Sequence, residues 1–451
     1  MREKAHQQNR IVPAAVSHGH AEEMETMSNL LDQMPEAVNG VHADLVEGLK
    51  HPETGRPGMT AEQVLRAIIV RQMNGFSYEQ LAFHLEDSAT YRRFCRIGVA
   101  DKPPSADTLQ RNIKKVRAET LEAFNKLMMQ LACENGIEDG AKMRADCTVT
   151  ETNIHEPTDS SLLDDCVRVL ARILERAAKL ASFPFTDHHR RARRRAIAIL
   201  NAARMKKRKP LYRDLIKVTE KTVRYATAAA VALDNYSGGD PLEAAVAMAL
   251  AEELRHYIEL AERVLDQTRR RVLQDESVPA RDKIVSIFEP HTDIIRKDRR
   301  DTYYGHKLCL SSGASGLITD CVVLDGNPAD ATLAVQVVER HQSIFGQIPR
   351  QVAYDGGFSS KANLAEIKTL GVQDVAFSKG RGLEILDMVK STWLYRQLKN
   401  FRAGIEAGIS WLKRVFGLDR CRWRSLPSFK SYVWSGVITA NLLVLARRQL
   451  A

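Results

Sequence analysis

The sequence lacks the features that mark a membrane, secreted or disulfide-stapled protein. No uninterrupted apolar run reaches the roughly 18 residues that a membrane-spanning helix needs. The opening stretch, MREKAHQQNR, has no apolar core behind its charges, so we expect no secretory signal there. The seven cysteines include no CxxC pair, which argues against a disulfide framework and against a structural zinc site. We therefore expect a cytoplasmic protein with no membrane partner.

The composition is that of a globular protein with several domains. The chain has 451 residues, of which 44% are hydrophobic and 27% charged, so bulk disorder is excluded. Its length suggests about three domains. No internal repeat or low-complexity tract is present.

Positive charge is concentrated in one block. The chain carries 66 Lys and Arg against 56 Asp and Glu, a formal net charge of +10. Residues 190–209 hold ten of these cations and no acid, whereas the first fifty residues hold eight acids and four bases. A solvated helix face is the ordinary alternative, but such a face normally carries interspersed acids. We predict DNA binding, because cations that neutralise phosphates release condensed counterions. The predicted DNA-binding residues are Arg190, Arg191, Arg193, Arg194, Arg195, Arg204, Lys206, Lys207, Arg208 and Lys209.

The amino-terminal part divides into a lead segment and a helical domain. Residues 1–55 form a polar lead segment that ends in the breaker-rich HPETGRPG. Residues 56–135 predict short helices, two of which begin with capping boxes, Thr60 with Gln63 and Ser77 with Gln80. Short helices with tight turns are typical of a helix-turn-helix DNA-binding domain, and equally of a helical packing or dimerisation module.

The rest of the chain predicts an α/β domain with a helical insertion. A strand is expected at 142–149, and further strands at 283–288 (KIVSIF), 303–312, 317–325, 351–354 and 372–377. Between them, residues 161–282 predict a basic all-α insertion, with a long helix that begins at Asp240-Pro241. Residues 136–160 and 283–451 thus form one domain with a mixed sheet flanked by helices.

Three acids occupy positions that suit catalysis. Asp146 lies within the first strand, and Asp355 lies at the carboxyl end of a later strand, where α/β sheets place ligands. Glu406 lies in a helical stretch in which Arg402 and Lys413 fall within about 40° of it on one face. Gly356 and Gly357, after Asp355, favour close approach of a ligand.

Such acids suit phosphodiester chemistry. Two divalent cations about 3.5–4 Å apart stabilise the attacking and the leaving oxygens, and hard cations such as Mg²⁺ prefer carboxylate ligands. Each acid alone has an ordinary explanation as a cap, turn or surface ion pair. Asp320, Asp325 and Asp374 also lie in or near strands, and periodicity does not choose among them.

Three blocks resemble those of bacterial DDE-type insertion-sequence transposases, close to the group called ISNCY. Residues 144–149 with 152–162 are similar to the first catalytic block of that group, and 355–358 (DGGF) to the second. Arg402, Glu406 and Lys413 resemble the third, in which a tyrosine usually stands where this chain has Lys399. The resemblance covers about residues 55–160 and 283–451.

The resemblance implies an RNase H-like catalytic core and metal-dependent cleavage and transfer of DNA strands. It implies that Asp146, Asp355 and Glu406 are the catalytic acids and the ligands of Mg²⁺, for which Mn²⁺ could substitute. Arg402 and Lys413 would contact the DNA backbone, and His155 and Asp159 would help to position the scissile phosphate. The partners would be element ends and target duplex, the protein would act as a homodimer or larger oligomer, and its location would be the bacterial cytoplasm, at the nucleoid.

Three other functions stay open at this point. A sequence-specific DNA-binding protein without catalysis explains the charge and the helices, but not three converging carboxylates. An RNase H-like nuclease shares the core but needs no end-specific helical domain. A recombinase with a covalent Tyr or Ser intermediate would depend on its nucleophile more than on the acids.

Overall fold

The computed structural model describes residues 1–5, 11–55, 57–238, 240–297 and 301–451. The chain divides into two compact units. The first unit comprises Met1–Thr152 and His306–Ala451, and the second comprises Asn153–Gly305. The second unit is broader than the insertion predicted at 161–282.

The first unit begins with helices. They are α1 (Gly19–Asp32), α2 (Pro35–Val46), α3 (Ala61–Asn74), α4 (Tyr78–Asp87), α5 (Ala89–Phe94), α6 (Ala106–Ile113) and α7 (Ala118–Glu134). Both predicted capping boxes are confirmed, since Thr60 and Ser77 accept hydrogen bonds from the backbone N–H groups of Gln63 and Gln80. Helix α3 ends at Gly75, whose φ of 66° is a left-handed conformation that glycine adopts at little cost.

Residues 19–46 differ from the polar lead segment that we predicted. Helix α1 buries Met24, Met27, Leu30 and Leu31, which recur every three or four residues along one face. Acidic side chains on the other face lower the average hydrophobicity of this stretch, so the composition alone does not reveal the apolar stripe. Residues 19–46 are therefore part of the helical core and not of a linker.

The sheet contains β1 (Lys142–Glu151), β2 (Asp293–Lys297), β3 (Asp301–Ser312), β4 (Ile318–Val323), β5 (Gln351–Tyr354) and β6 (Asp374–Phe377). In the first unit β3, β1, β5 and β6 lie side by side, and β4 pairs with β3. Strands β1, β5 and β6 run parallel, whereas β3 and β4 run antiparallel. The predicted mixed sheet flanked by helices is confirmed.

Helices cover this sheet and complete the first unit. They are α12 (Ala334–Phe345), α13 (Lys361–Thr369), α14 (Ile385–Met388), α15 (Thr392–Val415) and α16 (Leu426–Leu450). Helix α15 packs on β1, β5 and β6, while α16 packs on α1, α3, α7 and β4.

Within the described residues, α16 alone is long and apolar enough to pass a test for a membrane span. The sequence shows no uninterrupted apolar run here, because Ser, Thr and Asn side chains interrupt the helix. In the structure 89% of its most apolar 18-residue stretch is buried inside the protein, as in a core helix.

The second unit is mainly helical. It contains α8 (Asp159–Ala177), α9 (His189–Asn201), α10 (Met205–Asp234) and α11 (Pro241–Thr268), followed by β2 paired with the start of β3. The predicted start of α11 is confirmed, because the Asp240 side chain accepts a hydrogen bond from the N–H of Leu242.

The strand predicted at 283–288 is wrong. Ile284 and Ile287 are buried in the helical core of the second unit. The side chain of Gln267 bonds to both the N–H and the C=O of Ile284, so this backbone has partners without a neighbouring strand.

Candidate active site

The register of the parallel strands brings Asp146 and Asp355 together. Ala145 of β1 lies opposite Tyr354, the last residue of β5, so the next residue of each chain segment is an acid. Carboxyl ends of neighbouring parallel strands meet at one edge of a sheet, which explains this placement. The side chain of Asp146 is 19% exposed and that of Asp355 45% exposed.

One guanidinium contacts all three predicted catalytic acids. Arg402 on α15 places Nη1 3.8 Å from Asp146 Oδ2 and 3.6 Å from Asp355 Oδ1. Its Nη2 donates a hydrogen bond to Glu406 Oε1 at 2.8 Å. The Arg402 side chain is only 14% exposed, and its buried Nε has no partner among the described residues. The three acids thus lie around one positive charge, the Arg402 guanidinium.

Helix α15 is held against β1 by Arg144, two residues before Asp146. The Arg144 guanidinium donates to Ser312 Oγ and to the carbonyl oxygen of Phe401, both at 2.7 Å. A Cβ atom at Gly404 would lie 1.9 Å from Arg144 Nη1, so glycine is required for this close approach. These contacts set the position of Glu406 relative to β1.

The surroundings of Asp355 keep its carboxylate ionised. Burial raises the pKa of Asp355, but a hydrogen bond from Ser378, the N–H groups of Gly356 and Gly357, and the charge of Arg402 outweigh it. The net pKa is below the ordinary value for an aspartate. Ser378 Oγ donates to Asp355 Oδ1 at 2.8 Å.

The two glycines after Asp355 have a different use from the one that we predicted. A Cβ atom at Gly357 would lie 2.5 Å from Asp330 Oδ2, and one at Gly356 would lie 2.9 Å from Lys379 Cβ. Side chains of this protein therefore already fill the space that we assigned to a ligand.

The residues present suit a hard divalent cation in their chemistry. Three carboxylates surround one positive charge, and carboxylate oxygen is the ligand that Mg²⁺ and Mn²⁺ prefer. Within the described part of the chain, no three His, Cys, Asp or Glu side chains stand close enough to hold one ion. The acids share the Arg402 guanidinium instead.

The other predicted site residues lie elsewhere. Lys413 is in the last turn of α15, seven residues after Glu406, and its Nζ is 3.8 Å from Asp419 Oδ1. His155 and Asp159 lie in the second unit, whereas the three acids lie in the first. His155 Nε2 is 2.8 Å from Asp165 Oδ2, and the buried Asp159 accepts a hydrogen bond from Arg271 at 3.0 Å.

The basic block is neutralised in part by acids from other segments. Asp214 pairs with Arg191 and Arg195, Asp164 with Arg193, and Asp275 with Lys209. Arg208 donates to the carbonyl oxygen of Ala202. The block's remaining cations are exposed and have no ion pair among the described residues: Arg190, Arg194, Arg204, Lys206 and Lys207.

Two protein families match this chain. Residues 285–442, which include Asp355, Arg402 and Glu406, match the family described as "Transposase DDE domain". Residues 19–115 match "Transposase domain (DUF772)", a range that begins with α1. The chain belongs to the DDE transposases. The predicted enzyme class is confirmed, and neither the non-catalytic DNA-binding protein nor the nuclease is favoured; the narrower ISNCY group stays a prediction.

No curated protein and no solved structure matches the transposase. Asp146 lies outside both matched ranges, so its place in the site depends on the strand register and on Arg402. DDE transposases act on DNA and generally use divalent metal ions.

Sequence reasoning missed the supporting roles of Arg144, Ser312 and Ser378. Ser378 follows β6 just as Asp355 follows β5, with Phe377 opposite Tyr354 in the register. A polar residue directly after each of two adjacent parallel strands could have predicted that Ser378 and Asp355 lie side by side. Arg144 and Ser312 gave no such signal, because their contact depends on how β1, β3 and α15 pack.

Proposed function

We propose that Asp146, Asp355 and Glu406 form one active site that binds Mg²⁺, or Mn²⁺ in its place, and cuts and joins DNA. The contact of a single guanidinium with all three carboxylates is the observation that carries this proposal. The sheet supports an RNase H-like core, since three parallel strands, β1, β5 and β6, continue into the antiparallel pair β3 and β4.

The protein supplies position and charge in this reaction. Divalent ions bound by carboxylates stabilise charge on the attacking and the leaving oxygens of a phosphodiester. The register places Asp146 beside Asp355, Ser378 orients the Asp355 carboxylate, and α15 brings Glu406 to them. Water cleaves the element end and frees a 3′-OH. That hydroxyl then attacks a phosphodiester of the target and releases the target's own 3′-oxygen.

Arg402 neutralises the acids in the absence of other cations. We propose that Arg402 and Lys413 contact the DNA backbone when substrate is bound, because both carry positive charge on the helix that holds Glu406. A role of His155 and Asp159 in positioning the scissile phosphate stays a prediction; in the second unit these residues pair with Asp165 and Arg271.

DNA binding beyond the active site would use two surfaces. Residues 56–135 form the proposed helix-turn-helix domain, whose Lys102, Arg111 and Lys115 line a cleft of about 950 Å³ together with Arg2 from the start of the chain. The exposed, unpaired cations of the basic block form the second surface.

A transposition reaction joins two element ends, so we propose a homodimer or a larger oligomer that acts at the nucleoid in a bacterial cytoplasm.

A cleavage assay tests the proposed site. The substrate is a labelled duplex with the DNA that flanks this gene, incubated with Mg²⁺, with EDTA, and with the Asp355→Asn variant. We expect a nick at a fixed position next to the element end, abolished by chelation and by the substitution. Binding without cleavage by both proteins, with correct folding of each, would refute the three-acid site.

A further inference from the structure

A short arginine-rich segment follows α15 and is not part of the active site described above. Exposure alternates residue by residue from 420 to 424. Arg420, Arg422 and Arg424 are exposed, whereas Cys421 and Trp423 between them are buried. This period of two directs three guanidinium groups to solvent from five residues, and we call residues 420–424 the arginine segment.

The arginine segment is anchored to the end of β1. The N–H of Glu151 donates to the carbonyl oxygen of Asp419 at 3.0 Å, and the N–H of Cys421 donates to that of Glu151 at 2.8 Å. The Arg71 guanidinium lies 5.4 Å from the centre of the Trp423 ring. Because the backbone of the segment is already ordered, binding a ligand there would cost little conformational entropy.

Two of the three positive charges of the segment are not neutralised by the residues that the structure describes. Among the residues that the structure describes, neither Arg422 nor Arg424 has an ion pair or a hydrogen-bonded side-chain partner. The neighbouring Arg414 is also exposed, and among the described residues it bonds to the backbone carbonyl of Ser410 within α15. In the basic block of the second unit, by contrast, acids pair with several of the cations.

The segment lies beside the ends of β1 and α15 that come after Asp146 and Glu406 along the chain. Arg420 and Arg422 line a cleft of about 370 Å³ together with Lys413 and Arg414 of α15. Arg414 is eight residues beyond Glu406, roughly 12 Å along a helix. Glu151 is five residues beyond Asp146, roughly 17 Å along a strand. Because phosphates of one strand follow each other every ~3.4 Å of the DNA axis, these distances correspond to about three to five nucleotides.

We propose that the arginine segment binds the phosphate backbone of duplex DNA about three to five nucleotides from the cleaved bond. This inference rests on the proposed active site, because that site sets where the DNA enters. Alternate residues of an extended chain are roughly 7 Å apart, and each guanidinium can bind a phosphate through two hydrogen bonds. The segment contributes affinity and register without reading sequence, because it contacts phosphates.

A double substitution with a matched control tests the proposal. The test variant is full-length Arg422→Ala/Arg424→Ala. The control is Lys142→Ala/Arg350→Ala, which removes two exposed cations at the opposite, amino ends of β1 and β5. Binding of a duplex is measured at several salt concentrations, after thermal unfolding has shown that each variant is folded.

Two lost phosphate contacts predict a defined change. The slope of log K against log salt should fall by about 1.8, and affinity at 0.15 M salt should fall about 30-fold, while the control changes neither. In ethylation interference, the wild type should respond to modified phosphates about three to five nucleotides from the cut and the test variant should not. Equal slopes for test variant and wild type, or an equal loss in the control, would overturn the proposal.

The same experiment separates this inference from the active-site proposal. Cleavage is measured at saturating protein with Mg²⁺, where the test variant should still nick the duplex at the same position. Asp355→Asn should keep the wild-type salt slope and lose cleavage. If the salt slope falls in the test variant but none of the proteins cleaves the duplex, the three-acid site would be refuted and the proposed phosphate contacts would stand.

Discussion

The contact between Gly404 and Arg144 predicts an unusual response to alanine. In an exposed helix interior, replacing glycine by alanine stabilises by about 1 kcal/mol. At Gly404 the new Cβ would lie 1.9 Å from Arg144 Nη1, so the guanidinium has to move. That movement breaks its hydrogen bonds to Ser312 and Phe401. Bonds from a charged donor contribute about 1.5–3 kcal/mol each, so we expect Gly404→Ala to destabilise by about 2–5 kcal/mol net.

Gly408 on the same helix provides the matched control. Its nearest non-local atom would be Ile318 Cδ1 at 3.8 Å, an ordinary contact, so Gly408→Ala should be neutral or stabilising by up to about 1 kcal/mol. Unfolding of both variants is followed by circular dichroism with heat and with denaturant. In folded Gly404→Ala a displaced α15 should also lower cleavage about 100-fold, because a shift of 1 Å at a reacting group has that effect. Equal stability of the two variants would refute the role of Arg144 as the clamp on α15.

Three further predictions follow from charges in the structure. Arg402→Ala removes the cation shared by three acids, and like charges at ~4 Å repel by about 1–4 kcal/mol. The affinity for Mn²⁺ in the absence of DNA, measured by electron paramagnetic resonance, should therefore rise about tenfold or more. An unchanged affinity would show that the guanidinium does not compete with the metal ion. Burial lowers the pKa of His341 in the folded protein. The neutral imidazole therefore stabilises the fold fully above pH ~6.5, the pKa of histidine in the unfolded chain. This stabilisation is lost at up to ~1.4 kcal/mol per pH unit as the pH falls toward the folded pKa. His341→Gln should flatten this dependence in denaturant titrations between pH 5 and 8, and an unaltered curve would contradict it. In the basic block, Arg194→Ala/Lys206→Ala should lower the salt slope of DNA binding by about 1.8 with little loss of stability, whereas a stability loss with an unchanged slope would assign these side chains to the fold.

Much of the site could be predicted from sequence because it depends on local rules. Strand alternation around Asp146, a strand that ends before Asp355 and the helical spacing of Arg402 and Glu406 each need only neighbouring residues. Parallel pairing then brings the strand ends together. Periodicity did not distinguish these acids from Asp320, which the structure pairs with Arg340.

The wrong predictions concern residues whose state depends on distant partners. The apolar stripe of α1 is hidden by acidic neighbours, and its burial depends on α16. The backbone of Ile284 is satisfied by the side chain of Gln267, so an apolar alternation there gives no strand. DNA binding by residues 190–209 stays a prediction, but the sequence of the block could not show that Asp214 and Asp164 neutralise part of its charge.

The most direct test of the three-acid site changes the metal that the reaction needs. In Asp355→Cys a thiolate replaces a carboxylate, and Mg²⁺ binds hard oxygen ligands in preference to sulfur. We expect this variant to lose cleavage with Mg²⁺ and to regain part of it with the softer Mn²⁺. The control Asp325→Cys, at an exposed acid in the turn after β4, should cleave like the wild type with both ions. Full activity of Asp355→Cys with Mg²⁺, in a folded protein, would contradict the assignment of Asp355 as a metal ligand.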